Sequence, residues 1–317
     1  MDLSVVVPVY NEAECLEPLI REAGTVLNSL GQDYELIFVD DGSTDATYSI
    51  LSRFQAKEPR IKVLQLRRNF GQTPAFAAGF DYARGDIIIP MDGDGQNDPK
   101  DIPLLLDKIA AGFDLVSGWR SPRQDPFWSR RLPSVMANRL ISWLTRVKLH
   151  DYGCTLKAIR CNVAKEIKLY GEMHRFIPAI AYERGARIAE IKVHHRPRKS
   201  GQSKYGISRT FRVVLDLLTV KFLLNYATRP LHIFGLLGLL SGGAGFVIGV
   251  YLTTQKLLYG SDIGGRPLLL LAVLLIFIGF QFITMGLLGE MLARTYHESQ
   301  NKPIYSVKNI LDEREPK

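Results

Sequence analysis

Residues 87–99 read IIIPMDGDGQNDP. The apolar run Ile87–Pro90 ends in a cluster of acids and an amide, Asp92-Gly93-Asp94-Gly95-Gln96. A short apolar run closed by turn residues reads as a buried strand, and the polar cluster as the loop at its carboxyl end. The arrangement recurs upstream. Leu3–Val7 leads into Pro8-Val9-Tyr10-Asn11-Glu12, and Glu35–Val39 leads into Asp40-Asp41-Gly42-Ser43. Ile61–Gln65 is a further apolar run. The intervening stretches, Ala13–Leu30, Thr44–Lys57, Thr73–Ala83 and then Lys100–Gly112, are amphipathic and predict helices. Strand–helix alternation predicts a mostly parallel α/β sheet, whose ligands bind beyond the carboxyl ends of its strands. One such acidic loop reads equally well as a helix cap. Three on one edge of one sheet point to a site.

In extended chain alternate side chains share a face. Asp92, Asp94 and Gln96 therefore converge as three oxygen donors, a set suited to Mg2+ or Mn2+. The stretch is not an EF-hand loop: its sixth position is Asn97 and its twelfth is Pro103, where Gly and Glu belong. No G-x-x-x-x-G-K-[ST] loop, no G-x-G-x-x-G after the first strand and no H-E-x-x-H occur. This argues against a P-loop nucleotidase, a dinucleotide oxidoreductase and a zinc protease. Asp40, after the second strand, suits hydrogen bonding to a base or ribose.

Of the 317 residues 46% are hydrophobic and 23% charged, which excludes a disordered or collagen-like chain. Three cysteines without a C-x-x-C pair argue against a disulfide scaffold or a zinc ribbon. The start, Met1-Asp2-Leu3-Ser4, lacks the basic segment of a signal peptide. Towards the other end, His232–Leu252 and Leu268–Gly289 carry no Asp, Glu, Lys or Arg. Each is long enough as a helix to cross about 30 Å of hydrocarbon. Lys221 and Arg229 before them, and Arg294, Lys302 and Lys308 after them, place both flanks in the cytoplasm by the positive-inside rule. Gly238-x-x-x-Gly242 and Gly245-x-x-x-Gly249 predict close helix packing, between hairpins or between protomers. Thr210–Tyr226 is apolar on one face but too charged to cross, and predicts an interfacial helix. Lys192–Leu215 is rich in Lys and Arg and free of Asp and Glu, which suits anionic lipid or a phosphate ligand. The net charge of +8 does not point to nucleic acid, since no nucleic-acid-binding module is visible.

The order V-V-V-P-V-Y-N-E, V-D-D-G-S-T-D, R-N-F-G and D-G-D-G-Q-N-D-P resembles the family 2 glycosyltransferases of GT-A fold. The later D-Y-G-C-T-L-K and H-H-R-P-R-K-S-G-Q-S-K-Y, followed by two spans, resemble the polyprenyl-phosphate branch of that family. That branch includes dolichol-phosphate mannose synthase, bactoprenol glucosyltransferases and undecaprenyl-phosphate aminoarabinose transferases. The resemblance covers nearly the whole chain. It departs at Cys154, where some relatives carry an acid.

The resemblance implies a GT-A, Rossmann-like, mostly parallel sheet flanked by helices, then amphipathic interfacial helices and a two-helix transmembrane hairpin. The corresponding segments are a catalytic domain over 1–205, interfacial helices over 206–230, spans within 231–290 and a tail over 291–317. It implies an inverting transfer of a hexose or related sugar to a polyprenyl phosphate such as undecaprenyl phosphate. The donor is a nucleotide-sugar, a UDP-sugar before GDP-mannose. Pro8, Tyr10, Glu12, Asp40 and Asp92 would hold the donor with Arg130 and Arg131. Asp92, Asp94 and Gln96 would hold Mg2+ or Mn2+, and Asp94, Arg120 and Asp151 would be catalytic. Arg196, Arg198, Ser203 and Lys204 would take the acceptor phosphate. A phosphate monoester is already mostly dianionic at neutral pH, so Asp151 is expected to orient or stabilise as readily as to take a proton. The implied setting is a bacterial cytoplasmic membrane, with membrane lipids as neighbours, catalytic domain and both termini cytoplasmic, and a homo-oligomer such as a tetramer. A processive polysaccharide synthase fits less well, since Q-x-x-R-W is absent. A non-catalytic nucleotide-sugar binder fits poorly with intact Asp92 and Asp94.

Overall fold

The computed structural model describes residues 1–121, 141–142, 145, 147–167, 169, 173–196, 231–260, 262–263, 265–299 and 304–312. The chain divides into two compact units, Met1–Leu217 with Pro303–Lys317, and Leu218–Lys302.

The first unit is built on strands β1 (Leu3–Val9), β2 (Tyr34–Asp40), β3 (Ile61–Leu66), β4 (Ile87–Pro90), β5 (Leu115–Arg120), β6 (Lys157–Arg160), β7 (Ile188–Val193) and β8 (Val307–Leu311). Its helices are α1 (Ala13–Ser29), α2 (Thr47–Gln55), α3 (Gln72–Tyr82), α4 (Ile102–Ala110), α5 (Cys161–Glu166) and α6 (Ile177–Glu183). The four expected strands and four expected helices form within a few residues of their expected bounds. Helix α1 shows why: Leu16, Leu19, Ile20, Ala23 and Leu27 recur at helical spacing and are all buried. Its first turn is capped from outside. Asp45 Oδ2 accepts Ala13 N at 3.4 Å, while Oδ1 accepts Thr47 N at 2.9 Å at the start of α2.

The sheet order is β7-β5-β6-β4-β1-β2-β3-β8. Strands β3, β2, β1 and β4 run parallel, while β6 lies antiparallel between β4 and β5. Strand order reverses at β1, with β2 on one side and β4 on the other. The crevice at such a reversal is where doubly wound sheets bind ligands. Every residue of β2 is buried, as expected of a strand covered on both faces.

The tail contributes an element that the sequence reading did not anticipate. Strand β8 adds antiparallel to β3 and closes that edge. Lys62 on β3 is 4% exposed and bridges Glu35 on β2 and Asp312 after β8, each at 3.2 Å. Arg84 joins Asp312 at 3.0 Å.

The second unit holds helices α7 (Leu231–Tyr259) and α8 (Pro267–Ser299). The first runs on to Tyr259, beyond the Leu252 boundary expected from sequence, because Thr253, Thr254 and Lys256 interrupt hydropathy without interrupting the helix. Thr253 and Thr254 return their hydroxyls to backbone carbonyls one turn back. Phe234–Tyr259 and Pro267–Gly289 are long and apolar enough to cross a membrane. Their large side chains face outward, with Phe246 66%, Phe277 69% and Phe280 70% exposed, so the pair is not a buried core. The glycine seam closes inside the hairpin. A Cβ on Gly238 would sit 2.6 Å from Gly279 O, and one on Gly245 2.6 Å from Ala272 O. Gly249 meets nothing within 4 Å.

Candidate active site

Three loops meet at the carboxyl edge of β1, β2 and β4. Asn11 adopts a left-handed conformation, φ 55°, uncommon for a side chain and typical of strained functional loops. Its backbone N donates to Ser43 Oγ at 3.0 Å, and its Oδ1 accepts Thr44 N at 2.8 Å. Glu12 N donates to Thr47 Oγ1 at 3.1 Å. These bonds tie the loop after β1, which carries Tyr10 and Glu12, to the loop after β2. Pro8 lies within β1 itself, opposite Val39.

Asp40 and Asp41 divide the work of the second loop. Asp41 accepts Phe70 N at 2.7 Å and Gly71 N at 2.8 Å and so holds the R-N-F-G turn; burial pushes its pKa up to about 6. Asp40 is fully buried, and burial raises its pKa. Its Oδ1 accepts Ser43 N at 3.0 Å, whereas Oδ2 has no hydrogen-bond partner among the described residues. A buried, unsatisfied carboxylate oxygen is costly unless a ligand N–H or O–H completes it.

The acidic loop after β4 is fixed at both ends. Asp92 N donates to Asn97 Oδ1 at 2.8 Å, and Asn97 pairs with His195 beyond β7. Gly93 permits close approach to β1: a Cβ there would lie 2.6 Å from Val9 Cγ1. Asp92 Oδ1 accepts Gln72 Nε2 at 2.7 Å, and Asp94 Oδ1 accepts Gln96 N at 3.1 Å. Burial, then the Asp94 carboxylate, pushes Asp92 up to about 6. A buried acid raised by a neighbouring carboxylate in this way suits a cation, whose charge would favour the ionised form. The Gln96 amide nitrogen faces Arg196 O at 3.4 Å and His195 Nε2 at 3.5 Å, which leaves its carbonyl oxygen as the donor atom for a metal.

Arg120, at the end of β5, and Asp151 form a two-pronged pair. Nε donates to Oδ2 at 2.7 Å and Nη2 to Oδ1 at 3.0 Å, with Asp151 1% exposed. Gly153 N also donates to Oδ1 at 3.0 Å. Burial works against the Arg120 charge, but the Asp151 hydrogen bonds and charge outweigh it and raise its pKa. Both Asp151 oxygens are thus committed. Cys154, in the departing position, is buried, and burial pushes its thiol up to about 11, which keeps it inert as a nucleophile at neutral pH. Arg196 is held by Glu22 at 2.6 and 2.7 Å and by Asp98 at 2.7 Å, so carboxylates distant in sequence neutralise part of a stretch that reads as carboxylate-free. Arg130, Arg131, Arg198, Ser203, Lys204 and the interfacial segment Thr210–Tyr226 lie outside the described residues.

Sequence reasoning overlooked Lys157, His174 and Arg175, which line a small cavity beside Asp151. His174 and Arg175 lie in the 3-10 turn Met173–Phe176, distant from every motif, while Lys157 closes D-Y-G-C-T-L-K without an assigned role.

A sequence model described as Glycosyl transferase family 2 matches residues 4–168. The chain belongs to glycosyl transferase family 2. A dodecaprenyl-phosphate galacturonate synthase from Rhizobium johnstonii is 48% identical over 317 residues, spanning 99% of this chain and 94% of that protein. Among solved structures, glucosyl-3-phosphoglycerate synthase from Mycobacterium tuberculosis, with Mn2+ and UDP-glucose, aligns with a TM-score of 0.56 at 19% identity. The match covers 69% of this chain and 78% of that one. A second mycobacterial crystal structure aligns with a TM-score of 0.54 at 20% identity, covering 69% and 74% of the two chains. The family 2 glycosyltransferase thus has the GT-A sheet expected from its motifs, with the acidic loops on one edge.

Proposed function

We propose that this family 2 glycosyltransferase moves a sugar, with inversion, from a nucleotide-sugar to a polyprenyl phosphate. Near-full-length identity of 48% to a dodecaprenyl-phosphate galacturonate synthase carries the reading and names galacturonic acid as the first sugar to test. A UDP-sugar is the donor in this reading. Asp40 Oδ2 would take a donor N–H or O–H, and Tyr10 and Glu12 lie in the loop stitched to it.

Asp92 and Asp94, with the Gln96 carbonyl oxygen, would hold a divalent cation. When bound, such an ion supplies counter-charge to the leaving nucleoside diphosphate. Arg120, locked by Asp151, presents a fixed guanidinium for the same developing charge. The acceptor phosphate oxygen attacks the anomeric carbon on the face opposite the departing diphosphate. Being already dianionic, it needs no base, which agrees with both Asp151 oxygens being occupied. The two apolar helices suit membrane association, and the positively charged flanks favour cytoplasmic termini. In this reading the basic stretch around Arg198, Ser203 and Lys204 receives the acceptor phosphate.

The test is transfer of labelled sugar from UDP-galacturonic acid to dodecaprenyl or undecaprenyl phosphate in liposomes with Mn2+. Asp94→Asn should lower turnover by about 1000-fold while the chain folds normally, since it removes counter-charge worth about 4 kcal/mol of transition-state stabilisation. Near-normal transfer by a folded Asp94→Asn protein in chelator would refute the metal role.

A further inference from the structure

Beside Asp151 lies a cavity of 10 Å³, room for one water-sized group. Its walls include Phe76, Pro90, Gly153, Lys157, His174 and Arg175. Pro90 precedes Asp92 by two residues and Gly153 follows Asp151 by two, so the cavity shares its loops with the catalytic groups.

The charge in it is one-sided. Lys157 is 2% exposed, and its Nζ donates to the backbone carbonyl of Cys154. Among the described residues neither Lys157 nor Arg175 forms an ion pair. Burial lowers the pKa of Lys157, and an arriving anion would offset that cost and favour its charged form. Asp92 and Asp151 act on Lys157 through space, but Asp92 already receives Gln72 and Asp151 is occupied by Arg120. His174 adds no negative charge. It exchanges a 2.7 Å hydrogen bond with Thr73 Oγ1, and burial drives its pKa down to about 3, so it is neutral.

The missing anion is small. The room admits a single oxygen of an anionic group. The diphosphate belongs with Asp92 and Asp94, so the neighbouring cavity falls to the sugar.

We infer that Lys157 and Arg175 are specificity-determining residues that bind the C6 carboxylate of a hexuronic acid donor, and that this enzyme selects uronic over neutral sugars. The inference rests on the glycosyl-transfer reading above and adds the groups that read the sugar.

The experiment uses the full chain in detergent with undecaprenyl phosphate, comparing UDP-galacturonic acid with UDP-galactose, and Arg175→Gln with the unaltered enzyme. Binding of both donors and of UDP alone is measured separately by calorimetry. A lost hydrogen bond to a charged group corresponds to about a 10- to 100-fold fall in kcat/KM. That fall is expected for UDP-galacturonic acid only, with UDP-galactose and UDP little changed and Arg175→Lys partly restoring the loss. Lys157→Met serves as a second variant, read by the same donor ratio wherever its melting transition is retained. Equal loss for both donors, equal loss of UDP affinity, or a preference of the unaltered enzyme for UDP-galactose would overturn the inference and leave the transfer reading standing. Selective loss of UDP-galacturonic acid binding in Arg175→Gln, without transfer to lipid by either protein, would uphold the inference and refute the transfer reading.

Discussion

Replacing Asp151 by Asn separates a base from a positioning group. Asp151 is 1% exposed and meets Arg120 through two charge-assisted hydrogen bonds of 2.7 and 3.0 Å, with a third from Gly153 N. The amide keeps the shape and can accept one guanidinium bond, but its NH2 then faces a donor. Breaking a buried pair costs about 3–5 kcal/mol, and the retained bond puts Asp151→Asn near the lower figure, about 3 kcal/mol. At ~2–4 °C per kcal/mol for a unit of this size, the melting temperature should fall by about 6–12 °C. A loosened Arg120 should lower turnover by about 10- to 100-fold, the scale of a small misplacement. The acid limb of the pH–rate profile should stay near pH ~6, where the acceptor phosphate takes its second proton. The assay is thermal unfolding in detergent beside steady-state transfer over pH. Unchanged melting with abolished turnover, and with donor and acceptor binding intact, would refute this reasoning and identify Asp151 as the base.

His174→Gln should flatten the acid dependence of stability. The folded pKa of about 3 lies below the ordinary value of 6.5, so the unfolded chain takes the proton first and stability falls as pH drops below 6.5. Between pH 6.5 and ~5 that contribution is about 2 kcal/mol, absent in the variant; equal slopes in urea titrations at the two pH values would count against it. Gly245→Leu should strain the hairpin by about 1–3 kcal/mol or more, because a Cβ there meets Ala272 O at 2.6 Å. The particle mass by light scattering should stay constant, and a lower mass with unchanged melting would move the seam between chains. Lys62→Met should destabilise the first unit by about 3 kcal/mol, measured by chemical unfolding, because it removes the buried cation shared by Glu35 and Asp312 and leaves them with Arg84 and Ser4. A neutral effect would mean that β8 is held by its backbone pairing and by contacts such as Arg84–Asp312 and Asn309–Gln65 without Lys62.

Local patterns in the sequence determined the parallel half of the sheet, its helices, the two apolar spans and the acidic loops. Buried strands must be apolar along their length and ligand loops must follow them, so Val5–Val7 and Asp92–Gln96 announce themselves within a few residues. The family resemblance extended this reading to Asp151 and Arg120. Their mutual lock, across 31 positions, was settled by β5 running beside β6 and the loop ahead of it. Tertiary structure also decided the antiparallel β6, the return of the tail as β8, and the capture of Arg196 by Glu22 across 174 positions. It assigned the glycine seam to contacts inside the hairpin. Above all, it brought Lys157 and Arg175 to one cavity. Arg175 belongs to no periodic pattern or motif, and Lys157, the last residue of D-Y-G-C-T-L-K, reads in sequence as a solvated surface charge. Burial without an ion-pair partner among the described residues, which gives that lysine its meaning, is a property of the folded neighbourhood alone.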